Sequence, residues 1–262
     1  MNEDYREQNQ TDEEDVEQET PIESPFSRAF MVLVAPRRTF ESLAAKSTRM
    51  DWLLPILITI IVALLIINTG WDYIRTEQIN QSIDRIEHSS SLSDSQKDAQ
   101  IAQIRQSADN LGTVSLVVAN IASLVGIFAS TAVIALVLMG IARLLLGASL
   151  TFDSGFKITA LSGMVSAAGT LVELPLLHLF ESLERSRLTL GHLLPSGMAD
   201  SFIYQLVNID IFTILYTVFL AIGLAVFTRK PLARTVTPLI VLWIGFRVVA
   251  VSIAAMVGGI GA

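Results

Sequence analysis

Residues 52–71 read WLLPILITIIVALLIINTGW, an uncharged, largely apolar stretch with a tryptophan at each end. Trp52 and Trp71 are 19 positions apart, a separation of about 28 Å in an α-helix and close to the ~30 Å hydrocarbon core of a bilayer. Tryptophan favours both membrane interfaces. Pro55 falls in the first turn, where its missing N–H is tolerated. The stretch therefore predicts a transmembrane helix.

The composition of the whole chain agrees with a membrane environment. Hydrophobic residues make up 52% of the 262 residues and charged residues only 16%, against roughly 25% charged residues in soluble domains. The mean hydropathy is +0.55. So few charges cannot cover a soluble globule of this size, and lipid is the expected solvent. The chain has no cysteine, which excludes disulfides and thiolate metal sites.

Four further apolar stretches follow the first along the chain. The complete set of predicted spans is 52–71, 114–142, 156–180, 203–227 and 237–257. The second is longer than one crossing requires, so it must tilt or protrude. Each of the last three contains at least one ionisable residue. We expect an all-α polytopic membrane protein, a bundle of five transmembrane helices that forms a membrane domain over residues 51–262.

Basic residues near the span ends predict the orientation of this bundle. Ten lysines and arginines lie on the side of the N-terminus, and six lie on the side of the loop 72–110. Cytoplasmic loops are enriched in these residues. We therefore expect a multi-pass protein of the cell membrane with its N-terminus in the cytoplasm and its C-terminus outside.

The negative charge of the chain is concentrated at its start. The net charge is −7, and residues 1–20 contain nine acids and one base. Residues 1–24 lack apolar periodicity and are expected to form a disordered acidic tail. The remaining chain is close to neutral and has no basic field that would attract nucleic acid.

A short amphipathic lead-in, residues 25–50, precedes the first span. Phenylalanines and leucines interleave there with Arg28, Arg37 and Arg38, and Pro36 divides the segment into two short helices. Apolar and basic faces together suit the cytoplasmic headgroup layer, so these three arginines are candidate membrane-surface residues. A soluble helix packed beneath the bundle has the same pattern, and both interpretations stay open.

The polar loop 72–110 carries isoleucines at helical spacing. Isoleucines occupy positions 79, 83 and 86, then 101 and 104, and Ser93 with Gln96 resembles a capping box. We expect an extracytoplasmic helical hairpin that prolongs the first two spans. The isoleucines would join its two helices to each other, although a receptor-like surface is the alternative.

Three ionisable residues fall within the later spans, namely Glu173, Asp210 and Arg247. A charged residue at a helix centre costs roughly 2.5–3.5 kcal/mol on insertion scales, so such residues normally face the bundle interior and pair. Counting along the spans places the two acids in the outer third, within reach of the long arginine side chain. A structural ion cluster, a proton or ion relay, and a site for a lipid headgroup or substrate all fit this pattern.

Motifs of soluble catalysis are missing from the sequence. It contains no phosphate-binding loop, dinucleotide fingerprint, zinc-protease motif or nucleophile elbow, and its three histidines, His88, His178 and His192, lack metal-ligand spacing. We expect a protein that is not an enzyme and that uses no cofactor or metal. Small residues at four-residue spacing, such as Ala122, Gly126 and Ser130, allow close helix packing and leave self-association open.

Several short motifs together resemble the prokaryotic branch of the Yip-one (Ypt-interacting protein) domain family, whose members are five-span membrane proteins. The motifs are Pro36-Arg37-Arg38-Thr39-Phe40, Leu144-Leu145-Leu146-Gly147-Ala148, Phe152-Asp153-Ser154-Gly155-Phe156-Lys157, Leu206-Val207-Asn208-Ile209-Asp210-Ile211-Phe212 and Leu220-Ala221-Ile222-Gly223-Leu224-Ala225. The resemblance covers about residues 25–257.

The resemblance implies an architecture more than an activity. Eukaryotic relatives are similar to adaptors that bind Rab/Ypt GTPases in vesicle traffic, but their Asp-Leu-Tyr-Gly-Pro segment has no counterpart here, which puts GTPase binding in doubt. We expect a non-enzymatic scaffold or adaptor in membrane organisation or trafficking-like processes, with the bilayer and other membrane proteins, or a second copy, as partners. The alternative is a small transporter or channel subunit that uses Glu173, Asp210 and Arg247.

Overall fold

The computed structural model describes residues 24–89, 91–110, 112–194, 204 and 207–258. Regular structure in these ranges is helical, apart from one isolated bridge between Thr189 and Asp210. The predicted acidic tail, except Ser24, lies outside the described residues.

Helices of seven or more residues are numbered here in chain order. They are α1 (Pro25–Met31), α2 (Pro36–Ala45), α3 (Met50–Thr69), α4 (Trp71–Glu87), α5 (Asp94–Asn110), α6 (Gly112–Gly140), α7 (Phe152–Phe180), α8 (Ile211–Thr228) and α9 (Leu232–Gly258). Within the described residues, the five helices α3, α6, α7, α8 and α9 are long and apolar enough to cross a membrane. The prediction of an all-α, five-span membrane protein is confirmed.

The spans differ from the predicted segments mainly at their ends. The apolar helix of the second span continues from α6 through a π-helical turn, Ile141–Leu145, which accounts for the length of that stretch. α7 begins at Phe152, four residues before the predicted start, because Thr151 caps it. The Thr151 hydroxyl accepts a hydrogen bond from the Ser154 N–H at 3.2 Å.

The fourth span is shorter than predicted at its N-terminal end. Asp210 is the N-cap of α8, and its Oδ1 accepts a hydrogen bond from the Phe212 N–H at 2.8 Å. The prediction that Asp210 lies inside a span from 203 is therefore wrong, since the residue lies at the helix end. A carboxylate is favoured there because it satisfies an orphan donor and meets the positive end of the helix dipole.

α7 is the central helix of the bundle. It packs against α3, α6 and α8. In contrast, α9 packs chiefly against α8, and most of its surface is exposed. Gly155 allows the close approach of α6, because a Cβ at that position would lie 2.9 Å from the Ala135 carbonyl oxygen. The largest hydrophobic cluster joins α7 and α8 through Ile158, Leu161 and Leu224.

The lead-in is packed beneath the bundle at the end where α3 begins, which we call the lead-in end. α2 contacts α8, and the Phe40 and Leu43 side chains are buried in the main hydrophobic cluster. Gly223 permits this contact, because a Cβ there would meet Ile158 at 2.6 Å and Phe40 at 3.2 Å. Of the two interpretations of the lead-in, packing under the bundle describes α2.

The loop between the first two spans forms the predicted helical hairpin. α4 and α5 are 17 residues each and contact one another. The isoleucines of the two helices are half-buried. The capping box is present at the start of α5, where the Ser93 N–H donates to Gln96 Oε1 at 3.0 Å. The opposite end of the bundle is called the hairpin end below.

Candidate functional site

The three ionisable residues predicted from the spans meet around one cavity at the hairpin end. The cavity has a volume of about 920 Å³, and Glu173, Asp210 and Arg247 all line it. Volumes of roughly 300–1,000 Å³ are typical of small-molecule sites. The sequence therefore identified residues that lie together in space although they come from three different helices.

Each residue reaches the cavity from its own span. Glu173 lies two turns before the end of α7, Asp210 caps α8, and Arg247 comes from α9, which runs antiparallel to α8. Counting 1.5 Å per residue from Leu232, Arg247 lies about 23 Å along α9, while α8 is about 27 Å long. The long arginine side chain spans the remaining height.

The loop that leads into α8 contacts the side chains of Glu173 and Arg247 and ends at Asp210. Glu173 Oε1 accepts from the Leu188 N–H at 3.5 Å, and Arg247 Nη2 donates to the Asn208 carbonyl oxygen at 3.2 Å. The backbone of Asp210 is paired with Thr189 across the same loop. The cluster thus holds the loop against the bundle, and the loop in turn fixes the positions of the charges.

Charges of both signs surround the cavity. Glu173 is close enough to Asp210 to be repelled by it and close enough to Arg187 to be attracted. Glu77 of the hairpin adds a third carboxylate to the lining. Two guanidinium groups and three carboxylates in one cavity can bind a ligand that itself carries both charges.

Aromatic residues form a further part of the lining. Trp243 and Phe246, both on α9, line the cavity together with Tyr204. Phe246 is 72% exposed, so it belongs to the outer surface of α9 as well as to the cavity. This aromatic wall lies between the charged side chains of the cavity and the exposed surface of α9.

Arg187, Glu77 and Tyr204 were not anticipated as site residues. Glu77 and Arg187 lie outside the predicted spans, whereas Tyr204 falls at the start of the predicted fourth span, 203–227, and precedes α8 in the structure. The positions of all three depend on how the loop and the hairpin pack. The signal available in the sequence was a pair of arginines, Arg185 and Arg187, directly after the third span. This pair indicates a basic patch, but it does not show which other residues lie beside the patch.

A second polar cluster lies at the lead-in end. Arg28 Nη1 donates to Asp51 Oδ1 at 2.8 Å, and Arg28 Nε donates to Ser42 Oγ at 3.2 Å. The Arg28 side chain is only 2% exposed. The prediction that Arg28 lies at the membrane surface is wrong, because the buried acid at the start of α3 draws the guanidinium inward.

The other two lead-in arginines are placed differently. The Arg37 side chain is 82% exposed and pairs with Glu41 one turn away, and Arg38 follows it on α2. Beside them, α1 and the turn after it expose apolar side chains, namely Phe26, Phe30 and Val34. This part of the lead-in retains the apolar and basic surface that the sequence predicted.

The part of the chain that the structure describes contains no set of side chains that could bind a metal ion. No group of three or more His, Asp or Glu side chains is arranged there to hold an ion. The residues that line the cavity at the hairpin end offer hydrogen bonds, charges and aromatic surface.

A family model, the Yip1 domain, matches residues 30–255 of the chain. The match covers all five spans, the hairpin and most of the lead-in, and it confirms the resemblance drawn from the short motifs. Comparison with curated proteins and with solved structures found no significant match.

Proposed function

The chain belongs to the Yip1 domain family of membrane proteins, and we propose that it is a non-enzymatic scaffold or adaptor that recruits a partner membrane protein through the α4–α5 hairpin. The observation that carries this proposal is the projection of the hairpin. Each of its helices extends about 25 Å, and no described residue of either helix belongs to the hydrophobic clusters of the bundle.

The hairpin is attached firmly at its base and closed at its tip. Asn68 Nδ2 donates to Asn120 Oδ1 at 3.1 Å where α3 and α6 enter it, and Lys97 Nζ donates to the Glu87 carbonyl oxygen at 2.8 Å near the tip. Ile79, Ile86 and Ile104 line a cavity between the two helices, and most exposed residues on the outward faces are polar. A polar projection that is hydrogen-bonded at its base and near its tip provides a surface for a protein partner.

The excess of acidic residues on the hairpin favours a partner with a basic surface. Residues 71–110 contain seven acids and four bases. We expect a partner that presents basic residues, because complementary charge raises the rate of association and suppresses wrong pairings.

Photo-crosslinking in native membranes tests the proposal. A photoreactive amino acid at Asn80 or Ala102, both exposed on the hairpin, should form a discrete protein adduct. The same amino acid at Val241, 62% exposed on α9, should react with lipid only. Reversing the hairpin charge with Asp84→Lys and Asp98→Lys should abolish the adduct, whereas Glu181→Lys, an exposed acid at the same end, should not. Adducts that survive the hairpin reversal would contradict the proposal.

A second candidate function, a small transporter or channel subunit, is supported by the cavity that contains Glu173, Asp210 and Arg247. Toward the lead-in end the space between α7 and α8 is filled by Met164, Phe219 and Leu224, so a pathway would require these helices to separate. Flux of protons or small ions into liposomes that hold the purified chain tests this candidate. Flux that Glu173→Gln abolishes would favour transport over the adaptor function.

A further inference from the structure

The cavity at the hairpin end lies at the depth of lipid headgroups. Asp210 marks the point where apolar α8 begins, and α8 is about 27 Å long, close to the thickness of the hydrocarbon core. Trp243 lines the cavity from α9, and tryptophan favours this interfacial layer. A ligand in the cavity would therefore occupy the same layer as the phosphates of the surrounding membrane.

The cavity is bordered on one side by α9, whose apolar side chains are largely exposed. α9 packs chiefly against α8, and Phe246 is exposed on the outer surface while also lining the cavity. A molecule with acyl chains could place its polar part between the arginines and the acids and leave its chains along α9. A soluble ligand would gain nothing from this exposed aromatic wall.

We propose that this cavity binds the headgroup of a zwitterionic aminophospholipid, a primary ammonium joined to a phosphodiester as in phosphatidylethanolamine. Glu173 and Asp210 accept hydrogen bonds from the ammonium, and Arg187 and Arg247 bind the phosphate. The four residues assigned to the headgroup lie outside the hairpin, which contributes only Glu77 and Gln81 to the cavity wall, so the assignment can fail without the adaptor function failing.

The carboxylates select the ammonium group. An ammonium offers three donors, and each carboxylate has about four acceptor sites, of which Glu173 uses one for the Leu188 N–H and Asp210 one for the Phe212 N–H. A choline headgroup has no N–H donor and would leave these acceptors without a partner. A glycerol headgroup has no positive charge to set against the three acids of the cavity.

The arginines select the phosphate. Guanidinium groups bind phosphate oxygens through two parallel hydrogen bonds, which gives both energy and orientation. Arg187 approaches from the loop after α7 and Arg247 from α9, so the two can contact the phosphate from different elements. Because the same cavity is lined by two arginines and by acids, it matches a headgroup that carries both a phosphate and an ammonium.

Native mass spectrometry of the purified full chain tests the proposal. The protein is equilibrated with equal amounts of phosphatidylethanolamine, phosphatidylcholine and phosphatidylglycerol that carry identical acyl chains. We expect phosphatidylethanolamine to be retained about tenfold over the other two, the ratio that one charge-assisted hydrogen bond provides. Equal retention of all three lipids by the natural protein would overturn the proposal.

Paired substitutions locate the binding to the cavity. Glu173→Gln combined with Asp210→Asn should remove the preference for ethanolamine over choline, and asparagine keeps the N-cap of α8. Arg187→Gln, on an exposed part of the loop, should lower phosphatidylethanolamine retention about tenfold. The matched controls Glu181→Gln and Arg185→Gln lie outside the cavity and should change neither value. A control that acts as strongly as its partner would overturn the assignment.

A soluble competitor distinguishes the two sources of this headgroup chemistry. Glycerophosphoethanolamine has the same ammonium and phosphodiester but no acyl chains. We expect it to displace the lipid only at concentrations at least a hundredfold higher, because acyl chains add about 0.8 kcal/mol for each buried methylene. If it displaces the lipid at equal concentration, the cavity takes a soluble molecule and the lipid assignment is wrong.

Discussion

Arg28 and Asp51 form a buried ion pair across 23 residues of sequence, with Arg28 Nη1 at 2.8 Å from Asp51 Oδ1 and the two side chains 2% and 0% exposed. The second carboxylate oxygen accepts the Thr48 hydroxyl and N–H. The pair therefore fastens α1 to the first turn of α3. It also satisfies an acid that would otherwise be buried without a cation at the lead-in end.

Arg28→Met should destabilise the protein by about 3–5 kcal/mol, the cost of leaving one buried charge without its partner. Thermal unfolding in detergent measures this loss. The matched control is Arg37→Met, which removes an exposed pair on α2 and should cost no more than about 0.5 kcal/mol. Arg28→Met with Asp51→Asn should recover stability, because the amide still accepts from Thr48. Equal effects of the two single substitutions would show that the buried pair has no special contribution.

The spans and the hairpin could be predicted because their signals are local. A run of 20 apolar residues fixes a membrane helix whatever its neighbours are, and the 3.6-residue spacing of Ile79, Ile83 and Ile86 fixes the face that the hairpin helix buries. The ion pair had only an indirect signal. Asp51 is an acid next to an apolar stretch, which calls for a cation but does not say which of the lead-in arginines supplies it.

The candidate site could be predicted in part, because depth in the membrane follows from counting residues along each span. That count brought Glu173 and Asp210 to the outer third of the bundle and placed Arg247 near mid-span, within reach of both. It could not show that Asp210 caps α8, since side-chain capping competes with helix extension and depends on how the preceding loop is held. Arg187 and Tyr204 depend on that same loop, whose path is set by tertiary contacts.

Gly155 and Gly126 lead to a prediction about helix packing. Gly155→Ala should cost about 1–3 kcal/mol, because the added methyl would lie 2.9 Å from the Ala135 carbonyl oxygen and α6 would have to move away from α7. Gly126→Ala is the control, since no atom lies within 4 Å of its Cβ position. Thermal unfolding compares the two. If Gly126→Ala instead lowers the stability or dissociates an oligomer, that face of α6 packs against a second copy of the chain.

His88 at the tip of the hairpin predicts a dependence on pH. A hydrogen bond to the Asp84 carbonyl oxygen, together with the Asp84 carboxylate, raises the pKa of His88 above its ordinary value of 6.5. A raised pKa stabilises the folded hairpin fully below pH 6.5, and this contribution is lost as pH rises through the raised value. Asp84→Asn should bring the pKa partly down, since the backbone bond remains. Histidine NMR titration measures it, and an unchanged pKa would exclude the carboxylate as a cause.

The ten-to-six count of basic residues predicts a cytoplasmic N-terminus, and cysteine labelling tests this prediction. The chain has no cysteine, so a single introduced one reports without background. Asp98→Cys on the exposed surface of α5 should react with an impermeant maleimide in intact cells, whereas Thr11→Cys should react only after the membrane is opened. The reverse pattern would place the hairpin in the cytoplasm.

The exposed apolar surface of α1 leads to the last prediction, that this part of the lead-in inserts into the headgroup layer. A spin label at Phe26→Cys should be more accessible to oxygen than to a water-soluble nickel reagent, and a label at Glu41→Cys should show the reverse. Arg37→Gln with Arg38→Gln should make the Phe26 label shallower in anionic liposomes, since each basic residue near such a surface contributes about 1 kcal/mol. High salt should have the same effect. If both labels are equally accessible to nickel, α1 lies in water, and its apolar face must be covered by protein.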